Sequence, residues 1–341
     1  MEPCKIGCSS CQAQAVCDGC VPCSYQQCAG PCSDCPVVCC RREDLGQWLE
    51  EIKLGRQYKI QSARLPADTP PWFPTIIFAP KVFNQVPIKM AAVPISRFLN
   101  KSLLLRANNL QEYLGIKDAK TIITFNVQDD LLEEVWRRRE YFYFLLGQLK
   151  FDYIISPNFS NWQYAPRLEY FINIERSAIM AEELSQRGFK VIIDICVATP
   201  ATAKRYLAII ADITATQSSS DIRYTGGTLH FNFQLIKGSL AQVGAIDVLK
   251  RFHQNVGLDW DFLITGFSLK EPKRIFDLCP GRRFFFTGSS LVMSALYRQT
   301  LSGGKRVVMP DADPSSLLNQ YIAEYEKRFT STSSPLLSNS V

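Results

Sequence analysis

The sequence predicts an α/β protein: a (β/α)8 barrel or barrel-like parallel sheet, preceded by a small Cys-rich metal-binding segment. Two observations predict it. Eight short β-rich runs alternate with helix-like stretches over residues 75–329, the pattern of a parallel sheet with helices outside it. In addition, eleven of the 13 cysteines crowd between Cys4 and Cys40. The chain of 341 residues, 47% hydrophobic and 21% charged, can bury a sizeable core. An open doubly wound sheet is the alternative architecture.

Residues 1–40 form the Cys-rich segment. Two residues separate Cys8 from Cys11, Cys17 from Cys20, Cys20 from Cys23, and Cys32 from Cys35; Cys39 and Cys40 are adjacent, Cys4 precedes these groups and Cys28 falls between them. A two-residue gap lets both sulfurs turn toward one metal centre. The Cys17–Cys20–Cys23 triplet could wrap three corners of a cubane. The segment has no histidine and little apolar material for a core, so metal would have to fold it. The expected cofactor is an iron–sulfur cluster, 4Fe-4S, one or two, with zinc as the alternative. Cys196 and Cys279 stand alone in apolar surroundings and read as core residues.

Residues 41–74 read as a connector. Leu45, Trp48, Leu49 and Ile52 share a helical stripe within Asp44–Leu54, and Pro66, Pro70, Pro71 and Pro74 then hold the chain extended. The strands expected in the barrel-like domain 75–329 are Ile76–Ala79, Ala91–Ile95, Thr121–Phe125, Tyr153–Ile155, Val191–Ile195, Leu229–Phe233, Phe262–Thr265 and Phe284–Thr287. Too little chain separates the first two for a helix, so either the second is spurious or the barrel is incomplete. Helices are expected over Leu131–Leu149, with Leu132, Trp136, Tyr143 and Leu146 on one stripe, and over Pro166–Arg187, ended by Gly188. Residues 330–341 are Ser/Thr-rich and read as a disordered tail.

The N-terminus shows no apolar core of a signal peptide, and no apolar run is long enough for a membrane helix. A cytoplasmic location, with reduced thiols available for metal, follows as the expectation. The net charge of +6 permits contact with nucleic acid or other phosphates without demanding it.

In a barrel or an open sheet the functional face lies at the carboxyl ends of the strands. Asn126, Gln128, Asp129 and Asp130 follow the third strand, and Ser156, Asn158 and Ser160 the fourth. The fifth ends in Asp194, the sixth carries His230 and Asn232, and the last two end in Thr-Gly. Phe262–Leu269 and Phe284–Leu291 both read as an apolar run followed by Thr-Gly-x-Ser-Leu. Gly266, Ser268, Gly288 and Ser290 are therefore candidate phosphate-binding positions, with turn and capping roles as the alternative. Arg176 falls inside an apolar helical stripe and needs an acidic or phosphate partner, for which Asp152 and Asp194 are candidates. Glu133 and Glu134 are expected to pair with Arg137 and Arg138 along their own helix. His230 reads as a satisfied core residue and His253 as exposed.

Residues 122–195 resemble the bacterial and phage domain of unknown function family 4417. The resemblance rests on Asp129 and Trp136 within Asn126–Arg139, on Phe151–Ser160, on Pro166, on Asn173 followed by Arg176-Ser177, and on Gly188–Ile192. It implies no particular reaction. In the family pattern the fourth strand usually ends Ser-Pro-Asp-Phe-Ser and the fifth ends in Asn. Here those positions are Asn158 and Asp194, so acid and amide have exchanged strands. Together these features point to a metal-cluster enzyme acting on a phosphate-bearing substrate, such as a nucleotide or nucleic acid. Asp194, Asp129, Arg176 and Asn158 would lie near the chemistry. The competing reading is a non-catalytic zinc- or iron–sulfur-containing module that binds nucleic acid or protein.

Overall fold

The computed structural model describes residues 44–77, 86–116, 118–159, 167–197, 200–218, 226–233, 239–266, 272–302 and 305–332. All eleven cysteines of the N-terminal run, and Ser268, lie outside the described residues.

Eight parallel strands form one sheet: β1 (Trp72–Pro74), β2 (Met90–Pro94), β3 (Lys120–Thr124), β4 (Tyr153–Ile155), β5 (Val191–Ile195), β6 (Thr228–Asn232), β7 (Asp261–Thr265) and β8 (Phe284–Gly288). The ladder runs β1-β8-β7-β6-β5-β4-β3-β2. A single bridge, Thr75 to Ala92, with the Ile76 amide donating to the Ala92 carbonyl at 2.8 Å, nearly closes it into a barrel. Strand side chains alternate between two cores, as the period of two requires. Phe73, Met90, Ala92, Ile122, Tyr153, Ile155, Ile192, Leu263 and Phe285 fill the interior with Leu65. Their neighbours Val93, Ile123, Ile154, Ile193, Phe231, Ile264 and Phe286 face the helices.

The second strand is therefore genuine. The first differs from expectation: it is Trp72–Pro74, not Ile76–Ala79. Thr75 donates its amide to Gly288 on β8 at 2.9 Å. By alternation, the nitrogen of Pro74, which has no hydrogen to give, faces the seam with β2, where no ladder needs a donor. The described residues between β1 and β2 form no helix. The C-terminal helix α10 (Pro314–Thr332) packs against β1 instead, with Tyr325 on Trp72 at 5.7 Å between ring centroids. That helix also includes residues 330–332, which were expected in the tail.

The helix α1 (Leu45–Ile52) buries Leu45, Leu49 and Ile52 in the same core as the barrel helices. The chain then crosses the amino-terminal end of the barrel. Ala63 exchanges amide and carbonyl bonds with Val191 and Thr228, and Leu65 plugs the interior. Asp261, fully buried on that floor, is gripped by Arg64 and Arg283.

The expected helix over residues 131–149 is two, α3 (Asp129–Arg137) and α4 (Arg139–Gly147), after the short α2 (Leu110–Leu114). Arg138, at φ −117° and ψ 34°, breaks the run, and both halves still bury apolar faces, Val135 and Trp136 on one and Phe142 and Tyr143 on the other. The helix α5 (Arg167–Gln186) is followed by Gly188 at φ +84°, where the turn needs a left-handed residue. Its residues 168–181 are buried on every side because α1 packs over the face that would otherwise meet water. This places Glu175 and Arg205, the latter on α6 (Pro200–Ser218), in the interior as a two-point pair at 2.6 and 3.0 Å. The remaining helices are α7 (Ser239–Asn255), α8 (Pro272–Leu278) and α9 (Ser290–Leu296), and a hairpin β9–β10 (Gln299–Ser302, Lys305–Val308) precedes α10. Among the described residues, no helix is long and apolar enough to cross a membrane.

Candidate functional site at the barrel mouth

The interior changes character along the barrel axis. Its middle is hydrocarbon and aromatic, whereas the carboxyl ends of the strands bring polar side chains inward: Thr75, Thr124, Asp194, His230, Thr265 and Thr287, all buried. Strand register makes this layer. Asp194 is paired with His230 across β5 and β6, His230 with Leu263 across β6 and β7, and Thr265 with Thr287 across β7 and β8.

Asp194, His230 and Thr265 form a continuous hydrogen-bonded chain. The Asp194 carboxylate accepts from His230 Nδ1 through Oδ1, and His230 Nε2 lies 2.8 Å from the Thr265 hydroxyl. A carboxylate can only accept, so Nδ1 carries a proton, and in the neutral imidazole Nε2 accepts from Thr265. The Asp194 amide donates to Ser156 Oγ at 2.9 Å, which ties the strand to its neighbour β4. The Thr75 and Thr287 hydroxyls lie 2.8 Å apart between the end of β1 and β8.

Two buried oxygens in this region have no hydrogen-bond partner among the described residues: Asp194 Oδ2 and Asn158 Oδ1. A buried acceptor left unmatched costs free energy, and such groups mark places where something else is held. Asn158 follows β4 and Asp194 is the penultimate residue of β5, and these strands are neighbours and parallel. Gly288 leaves open space: a Cβ there would meet nothing within 4 Å, and its φ lies outside the left-handed region. Gly266 adopts φ +81°, which suits it to the turn after β7. Ser290 is exposed at the first turn of α9, and Asp129 is half-buried at the first turn of α3.

Arg176 is not brought to the mouth. It lies outside the barrel, donating to both carboxylate oxygens of Glu133 at 2.9 and 2.7 Å, with its guanidinium 3.8 Å from the Phe159 ring centroid and 4.9 Å from that of Trp136. Burial lowers its pKa, opposed by the Glu133 carboxylate. Its partner is thus neither Asp152, which accepts from the Thr121 amide, nor Asp194. Glu134 alone serves Arg137 and Arg138. Arg282 and Arg283 sit at the opposite end. Arg282 donates to the Gly257, Trp260, Val256 and His253 carbonyls after α7, and Arg283 to Asp261 and to the Leu65 and Pro66 carbonyls. His253 is half-buried and accepts from Arg282 Nε at 3.2 Å, rather than being simply exposed.

The fold and this layer define a parallel α/β barrel with a buried polar layer at its carboxyl end. Residues 85–226 match the family model described as a domain of unknown function, DUF4417, a span that contains Asn158 and Asp194 and stops short of His230 and Thr265. No curated protein matches the chain.

Proposed function

We propose that the protein is an enzyme acting on a phosphate-bearing substrate, such as a nucleotide or nucleic acid, at the carboxyl end of the barrel. The observation that supports this reading is the Asp194–His230–Thr265 chain. A carboxylate that orients an imidazole, whose far nitrogen faces a hydroxyl, is an acid–base relay. His230 is the proton acceptor and donor. Asp194 holds it in the required tautomer and stabilises its charged form, and Thr265 passes the proton or positions the reacting group. The open space at Gly288 and the glycine turn at Gly266 would receive the phosphate at the same end of the barrel as that relay. The cysteine-dense N-terminus adds an iron–sulfur segment, with zinc as the alternative metal.

The test is incubation of the full chain with nucleoside mono- and triphosphates and a short single-stranded oligonucleotide, following thermal unfolding and phosphate release. At least one probe should stabilise the protein and be turned over. The His230→Gln variant should keep binding and lose turnover. Absence of stabilisation by every probe, or turnover unchanged in His230→Gln, would overturn the reading.

A further inference from the structure

The mouth has a charge problem. A phosphate brings negative charge toward Asp194, itself a carboxylate, while Arg176, Arg282 and Arg283 are all committed elsewhere. Beside β4 and β5 the unmatched groups are both acceptors, Asp194 Oδ2 in the polar layer and Asn158 Oδ1 in the loop that follows β4. Two buried oxygens, one anionic, on neighbouring strand ends repel a bare phosphate and attract a cation.

We infer that Asp194 Oδ2 and Asn158 Oδ1 form the protein side of a hard divalent-cation site, of the magnesium class, which in turn receives the substrate phosphate. The inference rests on the proposed phosphate-bearing substrate and names the cofactor of that same site. The donor set selects the metal. Oxygen ligands favour magnesium, calcium or manganese over thiolate-seeking metals. Among the described residues no three His, Cys, Asp or Glu side chains cluster as a complete metal cage. That suits magnesium, which commonly keeps several waters and binds through one or two protein oxygens plus the substrate's phosphates. His230 is not a ligand, since Asp194 and Thr265 occupy both of its ring nitrogens. Asp194 then has two jobs on two oxygens: Oδ1 orients His230 and Oδ2 binds the cation, so metal and proton relay share one carboxylate.

Calorimetric titration of the full chain with magnesium, with inorganic pyrophosphate, and with both together tests this. Magnesium binds thiolates poorly, so the N-terminal cysteines do not confuse the readout. Magnesium should bind, and should strengthen pyrophosphate binding by about tenfold or more. Asp194→Asn should abolish that coupling. Asn158→Asp, which adds a carboxylate without removing the His230 partner, should tighten magnesium by about tenfold. This second variant guards against Asp194→Asn failing to fold. Pyrophosphate binding that is equal with and without chelator defeats the cation site and leaves the phosphate reading standing. Magnesium binding unchanged in both variants also defeats it. If neither magnesium nor pyrophosphate binds the wild-type chain, both ideas fail together.

Discussion

Arg176 and Glu133 meet as a two-pronged ion pair with one end in the protein and the other at the surface: the arginine side chain is 4% exposed and the glutamate 43%. The asymmetry predicts an asymmetric mutational response. Removing Glu133 strands a buried guanidinium among Trp48, Trp136 and Phe159. Removing the charge of Arg176 leaves a carboxylate that water already reaches, together with the longer contact to Asn173 Oδ1 at 3.4 Å. Glu133→Ala should therefore destabilise by about 2–3 kcal/mol, below the range of about 3–5 kcal/mol for breaking fully buried pairs, because the pair is partly solvated. Arg176→Met keeps much of the contact with the rings and should cost about 1–2 kcal/mol. Chemical denaturation of both variants checks the order. Arg176→Met as the more damaging change would show that the aromatic contacts, not the charge, dominate.

Acid sensitivity should localise to His253. Burial first, and the Arg282 charge second, lower its pKa. Arg282 donates to Nδ1, which must be unprotonated to accept, while Cys279, Asp259 and Asp261 act on Arg282. The unfolded chain protonates this histidine near about pH 6.5, the folded chain only at lower pH. Below that value the unfolded state binds more protons, so stability falls as pH falls, until the folded pKa is passed and the slope vanishes. His253→Gln should flatten this part of the stability curve, measured by denaturation from about pH 7 to about pH 5. An unchanged slope would place the sensitivity in other groups.

Most strands were legible because each runs through a buried parallel sheet and reads as a short β-rich segment. β1 was misplaced because Trp72, Phe73 and Pro74 sit among prolines, and its edge position, which tolerates them, is visible only in the sheet. The Arg138 break interrupts a stripe whose spacing continues through it. Asp194 could be found from the rule that strand ends carry function. His230 could not be chosen with it, since a lone histidine in an apolar strand looks like core; only the register that pairs the two exposes the relay. Glu133 looked like a partner for its own helix, because helical spacing is visible in sequence and a contact from α3 to α5 is not.

The N-terminal segment should be separable from the barrel. Residues 1–40 carry few apolar side chains besides cysteine to contribute to a hydrophobic core. Deleting residues 1–40 should leave cooperative thermal unfolding intact while removing bound metal. Anaerobically purified full-length protein should contain iron and sulfide, and the truncated form neither. Loss of cooperative unfolding on truncation would show that the segment is integral to the fold. Stoichiometric zinc without iron in protein from iron-replete cells would select the alternative metal.

Gly226 and Gly288 offer a paired test of fold against site. Gly226 precedes β6 at φ +72°, and a Cβ there would lie 1.9 Å from the Asp259 carbonyl oxygen. Any side chain meets both a left-handed backbone and another backbone, neither of which can yield. Gly226→Ala should cost about 2–4 kcal/mol. Gly288 has neither constraint: its φ is ordinary and nothing lies within 4 Å of the added atom. Gly288→Val should therefore change stability by no more than about 1 kcal/mol. Its isopropyl group would nonetheless fill the space through which a phosphate reaches the backbone between β8 and α9, so binding of phosphate-bearing probes should be lost. The comparison separates the two readings of the Thr-Gly turns. Binding lost with stability kept identifies Gly288 as part of the ligand site. Binding kept by a folded Gly288→Val protein reduces this glycine to a turn residue and moves the phosphate away from β8.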